Sequence, residues 1–213
     1  MTLSPFETNL YQYLTPFFGR HAYTLLPERK QYRRFTDLGF QNVILSPAFY
    51  GDETMLEVNF GCRNNQVEQI AQQFLNNLPD YRPDANTLIL SIGKFNGLQY
   101  FRYKIHSDEE LHATCDQIEA FFVQQGFDFL ESATTLPALD RLLNQRPDEP
   151  CQYVYNQAHR FYKGIIAARL NQNPQFDELV ASYRQLLIRQ TQNPHEQLHF
   201  ERMITYLQHY SPN

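Results

Sequence analysis

The chain has 213 residues, enough for one large domain or a domain with a substantial extension, and 42% hydrophobic residues supply a sizeable core. Its 18 basic and 23 acidic residues leave a net charge of −5, which excludes a general binder of nucleic acid or anionic membrane, because phosphate contacts need a concentrated positive field. Three widely spaced cysteines, Cys62, Cys115 and Cys151, form no Cys-x-x-Cys pair; they argue against a disulfide framework or a structural zinc site and fit a reducing compartment.

The amino-terminal MTLSPFETNLYQYL has neither a basic start nor an apolar run, so no signal peptide is expected. No apolar run approaches the roughly 20 residues that span a bilayer. These features predict a soluble cytoplasmic protein with no membrane partner. Ser4, Pro5 and Glu7 form a helix start, and Leu10, Tyr13, Leu14 and Phe17 follow on one stripe. Pro16 disturbs the end of that helix and Gly19 is expected to stop it.

Short strands are predicted at Tyr23 to Leu26 and Gln31 to Thr36, with turns at Pro27 to Lys30 and Asp37-Leu38-Gly39. The fold is expected to centre on Phe40 to Cys62, two strands around a turn at Gly51-Asp52-Glu53. Leu56, Val58, Phe60 and Cys62 alternate with Glu57, Asn59 and Gly61, giving one apolar face. Val43-Ile44-Leu45 is apolar on both faces, as in a central strand. Asn64 or Asn65 caps a helix carrying Val67, Ile70, Ala71, Phe74, Leu75 and Leu78, with Pro79 ending it. Thr87 to Ile92 and Leu98 to Ile105 are predicted as a second hairpin around Asn96-Gly97. Ser107 with Glu110 makes a capping box for a helix ending at Gly126.

A further helix carries Leu136, Leu139, Leu142 and Leu143. Arg146-Pro147-Asp148-Glu149-Pro150 is the expected domain boundary, dividing residues 1–146 from 151–213. Beyond it lie helices from about Tyr153 to Leu170, from Asn173-Pro174, and from Asn193-Pro194. Gln-Asn-Pro begins at Gln172 and again at Gln192, which reads as one helix-entry solution used twice; two copies do not establish a solenoid.

His195-Glu196-Gln197-Leu198-His199 fits His-Glu-x-x-His. On a helix the two imidazoles lie one turn apart and can share a zinc ion, with the Glu as general base. The five residues resemble the zinc metallopeptidases, which implies His195 and His199 as ligands and Glu196 as catalytic base. The longer family pattern fails: Arg202 stands where it has Gly and Thr205 where it has His. Glu201 is too close to His199 for the same metal, and no distant Glu follows. Asn193-Pro194 also places Glu196 at the third helical position, which favours a carboxylate for structural reasons.

Two weaker candidates accompany the motif. Arg29, Lys30, Arg33 and Arg34 cluster with Tyr32 and Phe35 as an anion patch or as a charged edge strand. His106 and His112 flank a helix start with no carboxylate or cysteine partner evident in sequence. The runs Phe35-Thr36-Asp37-Leu38-Gly39-Phe40 and Leu56-Glu57-Val58-Asn59-Phe60-Gly61, followed by a helix, resemble uncharacterised bacterial proteins of the domain-of-unknown-function kind. That resemblance covers the first part of the chain and implies no activity; some such proteins partner toxins or secretion components.

The expected fold is α+β, an antiparallel sheet with helices packed on one face, followed by a helical carboxy-terminal region. The leading expectation for function is a bacterial, non-catalytic protein-interaction or binding module, with another protein as the partner and no resident cofactor. The alternatives are a zinc-dependent hydrolase using His195, Glu196 and His199, and a small-ligand binder with a Tyr/Phe-lined pocket between sheet and helices.

Overall fold

A computed structural model describes residues 3–191 and 193–210. Helix α1 (Pro5–Arg20) opens with the expected box: Ser4 Oγ accepts from the Glu7 amide at 3.2 Å, and Glu7 Oε2 accepts from the Ser4 amide at 2.9 Å. Pro16 is accommodated inside the helix, which runs on past Gly19.

The described residues form a six-stranded sheet in the order β1 (Thr24–Leu26), β2 (Gln31–Thr36), β3 (Gly39–Tyr50), β4 (Glu53–Asn64) and β5 (Leu88–Ser91), with β6 (Tyr103–Ile105) also on β4. The β3–β4 hairpin turns at Gly51, whose φ of 62° suits a residue without Cβ. Leu56, Val58 and Phe60 are buried while Glu57 and Asn59 between them are half-buried, the alternation expected from the sequence. The α+β class with an antiparallel sheet and a helical carboxy-terminal region therefore holds.

The second hairpin does not form. Ser91 Oγ caps the Lys94 amide and opens a helical turn, α3 (Ile92–Phe95), so the chain leaves the sheet before Asn96-Gly97. Phe101 closes over Gly93, where an added Cβ would lie 2.5 Å from the Phe101 Cβ. The chain then rejoins the sheet as β6, which pairs Ile105 with Thr54 of β4 rather than with β5.

Helix α2 (Asn65–Phe74) is capped by Asn64, whose Oδ1 accepts from Val67 at 3.1 Å. It stops short of Leu78, which is exposed: Leu75 is already extended, and the residue before Pro79 is driven from the helical region. Helix α4 (Asp108–Phe121) starts at Ser107, but Glu110 reaches back to the His106 amide rather than to the cap. Gly126 does not end the helix. The chain continues through a π-helical turn (Phe122–Gly126) into α5 (Phe127–Ala133). Gly126 is needed for room, since a Cβ there would lie 2.6 Å from Phe122 Cδ1.

The remaining helices are α6 (Leu136–Asn144), α7 (Gln157–Leu170), α8 (Phe176–Gln190) and α9 (Pro194–His209). Helix α7 begins later than expected because Asn156 caps it, and α8 begins at Phe176 rather than at Asn173-Pro174. Asn173 Oδ1 accepts from the Gln175 amide at 2.8 Å, while its Nδ2 donates to both Asp140 oxygens at 2.9 and 3.0 Å. Asn193 does cap α9 with Pro194 in its first turn, whereas the second Gln-Asn-Pro starts at Gln192, outside the described residues.

The chain divides into two compact units, Met1–Cys62 with Ile89–Ser132, and Arg63–Leu88 with Ala133–Asn213. The first is cored by rings: Phe18 stacks on Tyr32 at 4.4 Å, and Phe60 meets Phe95, Phe121, Phe122 and Phe129 at 5.3 to 5.8 Å. In the second, α2, α6, α8 and α9 surround α7, which is buried continuously from Arg160 to Ala168. Residues 146–150 lie within this second unit. The Arg160 guanidinium donates to the carbonyls of Leu143, Arg146 and Glu149, which ties down the proline-rich stretch.

Candidate functional site

The helical unit contains a cavity of about 540 Å³. Helix α9 contributes His195, Glu196 and His199, the two imidazoles one turn apart on the same face. Helix α7 contributes Ala158, His159 and Tyr162, while Phe74, Leu75 and Asn76 come from the end of α2 and Leu187 from α8. The capping residues Asn156 and Asn193 complete the wall, so the amino ends of two helices open on the cavity. Aromatic and aliphatic groups thus face amides, imidazoles and one carboxylate, the mixture that holds a small organic molecule by an apolar floor and a few orienting polar contacts.

Several of these side chains are fixed. His199 Nδ1 lies 3.0 Å from the Phe74 carbonyl oxygen. That oxygen can only accept, so Nδ1 carries the hydrogen and Nε2 of the neutral ring keeps its lone pair. Tyr162 donates to the Glu196 carbonyl at 2.8 Å, joining α7 to the first turn of α9; burial, then Glu196, pushes its phenol well above the ordinary value. Burial likewise holds His159 below the usual imidazole range, helped by Lys163 one turn on, against the opposing pull of Glu68 and Glu196. Lys163 Nζ lies 2.9 Å from Glu68 Oε1 in a buried ion pair, and Gln72 donates to the other Glu68 oxygen at 2.7 Å.

His159 was not among the residues singled out by sequence. It is far from the His-Glu-x-x-His run, and tertiary packing of α7 beside α9 brings it there. The pocket also lies in the helical unit, not between sheet and helices. Among the described residues no group of three or more His, Cys, Asp or Glu side chains is placed to hold a metal ion. His159, His195 and His199 share the wall without converging on one point.

The basic cluster is not a free anion patch. Lys30 pairs with the buried Glu7 at 2.5 Å, Arg33 lies with its guanidinium 3.9 Å from the Phe40 ring centroid, and Arg34 pairs with Glu131 and donates to Gln41. Arg29 lies 4.0 Å from Glu28. His106 has a partner after all, Glu53 at 3.4 Å across the β4–β6 pairing, and His112 packs edge-on against Tyr13. Both contacts are long-range and invisible to local spacing. Cys62, Cys115 and Cys151 are unbridged and buried, and burial pushes the Cys115 thiol up to about 12. Among the described residues no helix is long and apolar enough to cross a membrane. The chain has no match among protein-family models, curated proteins or solved structures.

Proposed function

We propose that the protein is a non-catalytic binding module whose helical unit holds a small, partly apolar ligand. One observation carries this reading: a cavity of about 540 Å³ between four helices, lined both by apolar side chains and by imidazole, amide and carboxylate groups. Binding is favoured over hydrolysis because the paired imidazoles of α9 have no third ligand converging with them among the described residues, whereas a catalytic zinc rests on three protein ligands. Three buried, unbridged cysteines support a cytoplasmic setting. The resemblance of residues 35–40 and 56–61 to uncharacterised bacterial proteins supports a binding role without naming a partner.

The test is a screen of small aromatic and aliphatic fragments, neutral and charged, followed by amide NMR. Bound fragments are expected to shift the amides of residues 74–76, 156–162 and 193–199 and to be recovered chemically unchanged. Ala158→Trp, which fills the cavity from the first turn of α7, is expected to abolish those shifts while leaving the thermal midpoint in place. Fragments that bind the Trp variant equally well, or none that perturbs these residues, would contradict the reading.

A further inference from the structure

The cavity wall carries hydrogen-bonding groups that the fold leaves unused. His159 is half-buried on α7, yet neither of its ring nitrogens has a hydrogen-bond partner among the described residues. A polar group taken partly out of water and left without a protein partner needs another one, from solvent or from a ligand. Burial holds this ring below the usual imidazole range, so at neutral pH it offers one N–H and one lone pair. On α9 the Phe74 carbonyl takes the Nδ1 hydrogen of His199, and Nε2 is left as an acceptor without a partner among the described residues. At the rim, Asn156 and Asn193 spend their side-chain oxygens on capping α7 and α9, which leaves both Nδ2 groups free to donate.

The same wall favours neither sign of charge. Glu196 is its one carboxylate and opposes an anion. The amino ends of α7 and α9, each the positive pole of its helix, open on the cavity and oppose a cation. Lys163 and Glu68 neutralise each other in their buried pair. His159 and His199 stand on different helices, so a group with a donor and an acceptor side by side suits them better than a single charged centre. Resting on the binding reading above, we infer that the cavity takes an uncharged planar molecule, an aromatic ring bearing a primary amide. The amide N–H donates to His199 Nε2, and its carbonyl accepts from the His159 ring. Phe74, Leu75, Ala158 and Leu187 receive the aromatic body.

The experiment is calorimetric titration of the intact, untagged chain, at one pH of about 8, with four probes of nearly one shape. Benzamide is neutral and both donates and accepts; acetophenone is neutral and only accepts; benzoate is the anion and benzamidine the cation. Benzamide is expected to bind at least about fivefold more tightly than each of the other three, the worth of one matched hydrogen bond. His159→Phe and His199→Phe keep a ring in place and remove its nitrogens; each should bring benzamide down to the level of acetophenone. Acetophenone, benzoate or benzamidine binding as tightly as benzamide, no binding of any of the four, or a preference for benzamide that survives in both variants would overturn the inference. A fragment of another kind that still shifts the amides of the cavity in those cases leaves the binding reading standing, so the two failures are distinguishable.

Discussion

The two units are held together by different chemistry. In the sheet unit the interior is aromatic: Phe18, Tyr32, Phe60, Phe121, Phe122 and Phe127 touch edge to face or stacked, and what matters is volume and ring shape. In the helical unit α7 buries Arg160 and Lys163 among its apolar residues, and each is satisfied by named partners. Asp140 accepts from Asn144, Asn171 and Asn173, and Asn144 in turn donates to the Gly164 carbonyl and accepts from Tyr183. A ring core tolerates substitution that conserves volume. A polar core tolerates little that leaves one member unpaired.

Single substitutions separate the two regimes. Lys163→Met strands the buried Glu68 carboxylate and is expected to cost about 3–5 kcal/mol, whereas Glu68→Leu with Lys163→Met removes both charges and should recover most of that loss in denaturant unfolding. Phe60→Ala in the sheet unit is expected to cost about 3–5 kcal/mol, but here one apolar change suffices for recovery: Phe60→Leu should cost about 1 kcal/mol. If the charge pair is restored no better by the double change than Phe60 is by Leu, the contrast fails.

Smaller changes sharpen the picture. Gly164→Ala places a Cβ 2.4 Å from Asn144 Oδ1 and 3.2 Å from Tyr183 Cε2. It should cost about 1–3 kcal/mol by pushing apart groups whose hydrogen bonds depend on that approach. Ser4→Ala removes the α1 cap and should cost about 1 kcal/mol, measured by thermal melting. The weakest effect is electrostatic. Burial alone would raise the Glu7 carboxyl, but hydrogen bonds from Lys30 and from Ser4 outweigh it and hold it below the ordinary value. The stabilisation is thus present above the ordinary carboxyl range, near about 4.3, and is lost as pH falls through the lowered folded value. Glu7→Gln should flatten that part of an acid-unfolding curve.

The same contrast explains what the sequence made legible. Period-two alternation in β4 and helical stripes with Ser4, Asn64 and Ser107 caps are local signals, and they located the hairpin and the helix starts. Local signals failed where another group competed, near or far along the chain. Asn96-Gly97 is a genuine turn, with Gly97 at φ 75°, but Ser91 had already diverted the chain into a helical turn. Asn173 does cap the Gln175 amide through Oδ1, but its Nδ2 is tied to Asp140 and the helix begins only at Phe176. The His195–His199 spacing identified one wall of the cavity. His159 and Tyr162 on the other wall lay in a helix that reads as ordinary core, and nothing in its own spacing distinguishes a cavity-lining face.

The most direct test of the central claim is amide NMR of the intact chain titrated with small aromatic and aliphatic fragments. The account predicts that a bound fragment shifts the amides of residues 74–76, 156–162 and 195–199 and leaves those of residues 54–60 in the sheet unit where they are. Shifts confined to the sheet unit, or none at the residues that line the cavity, would show that the helical unit holds no such ligand.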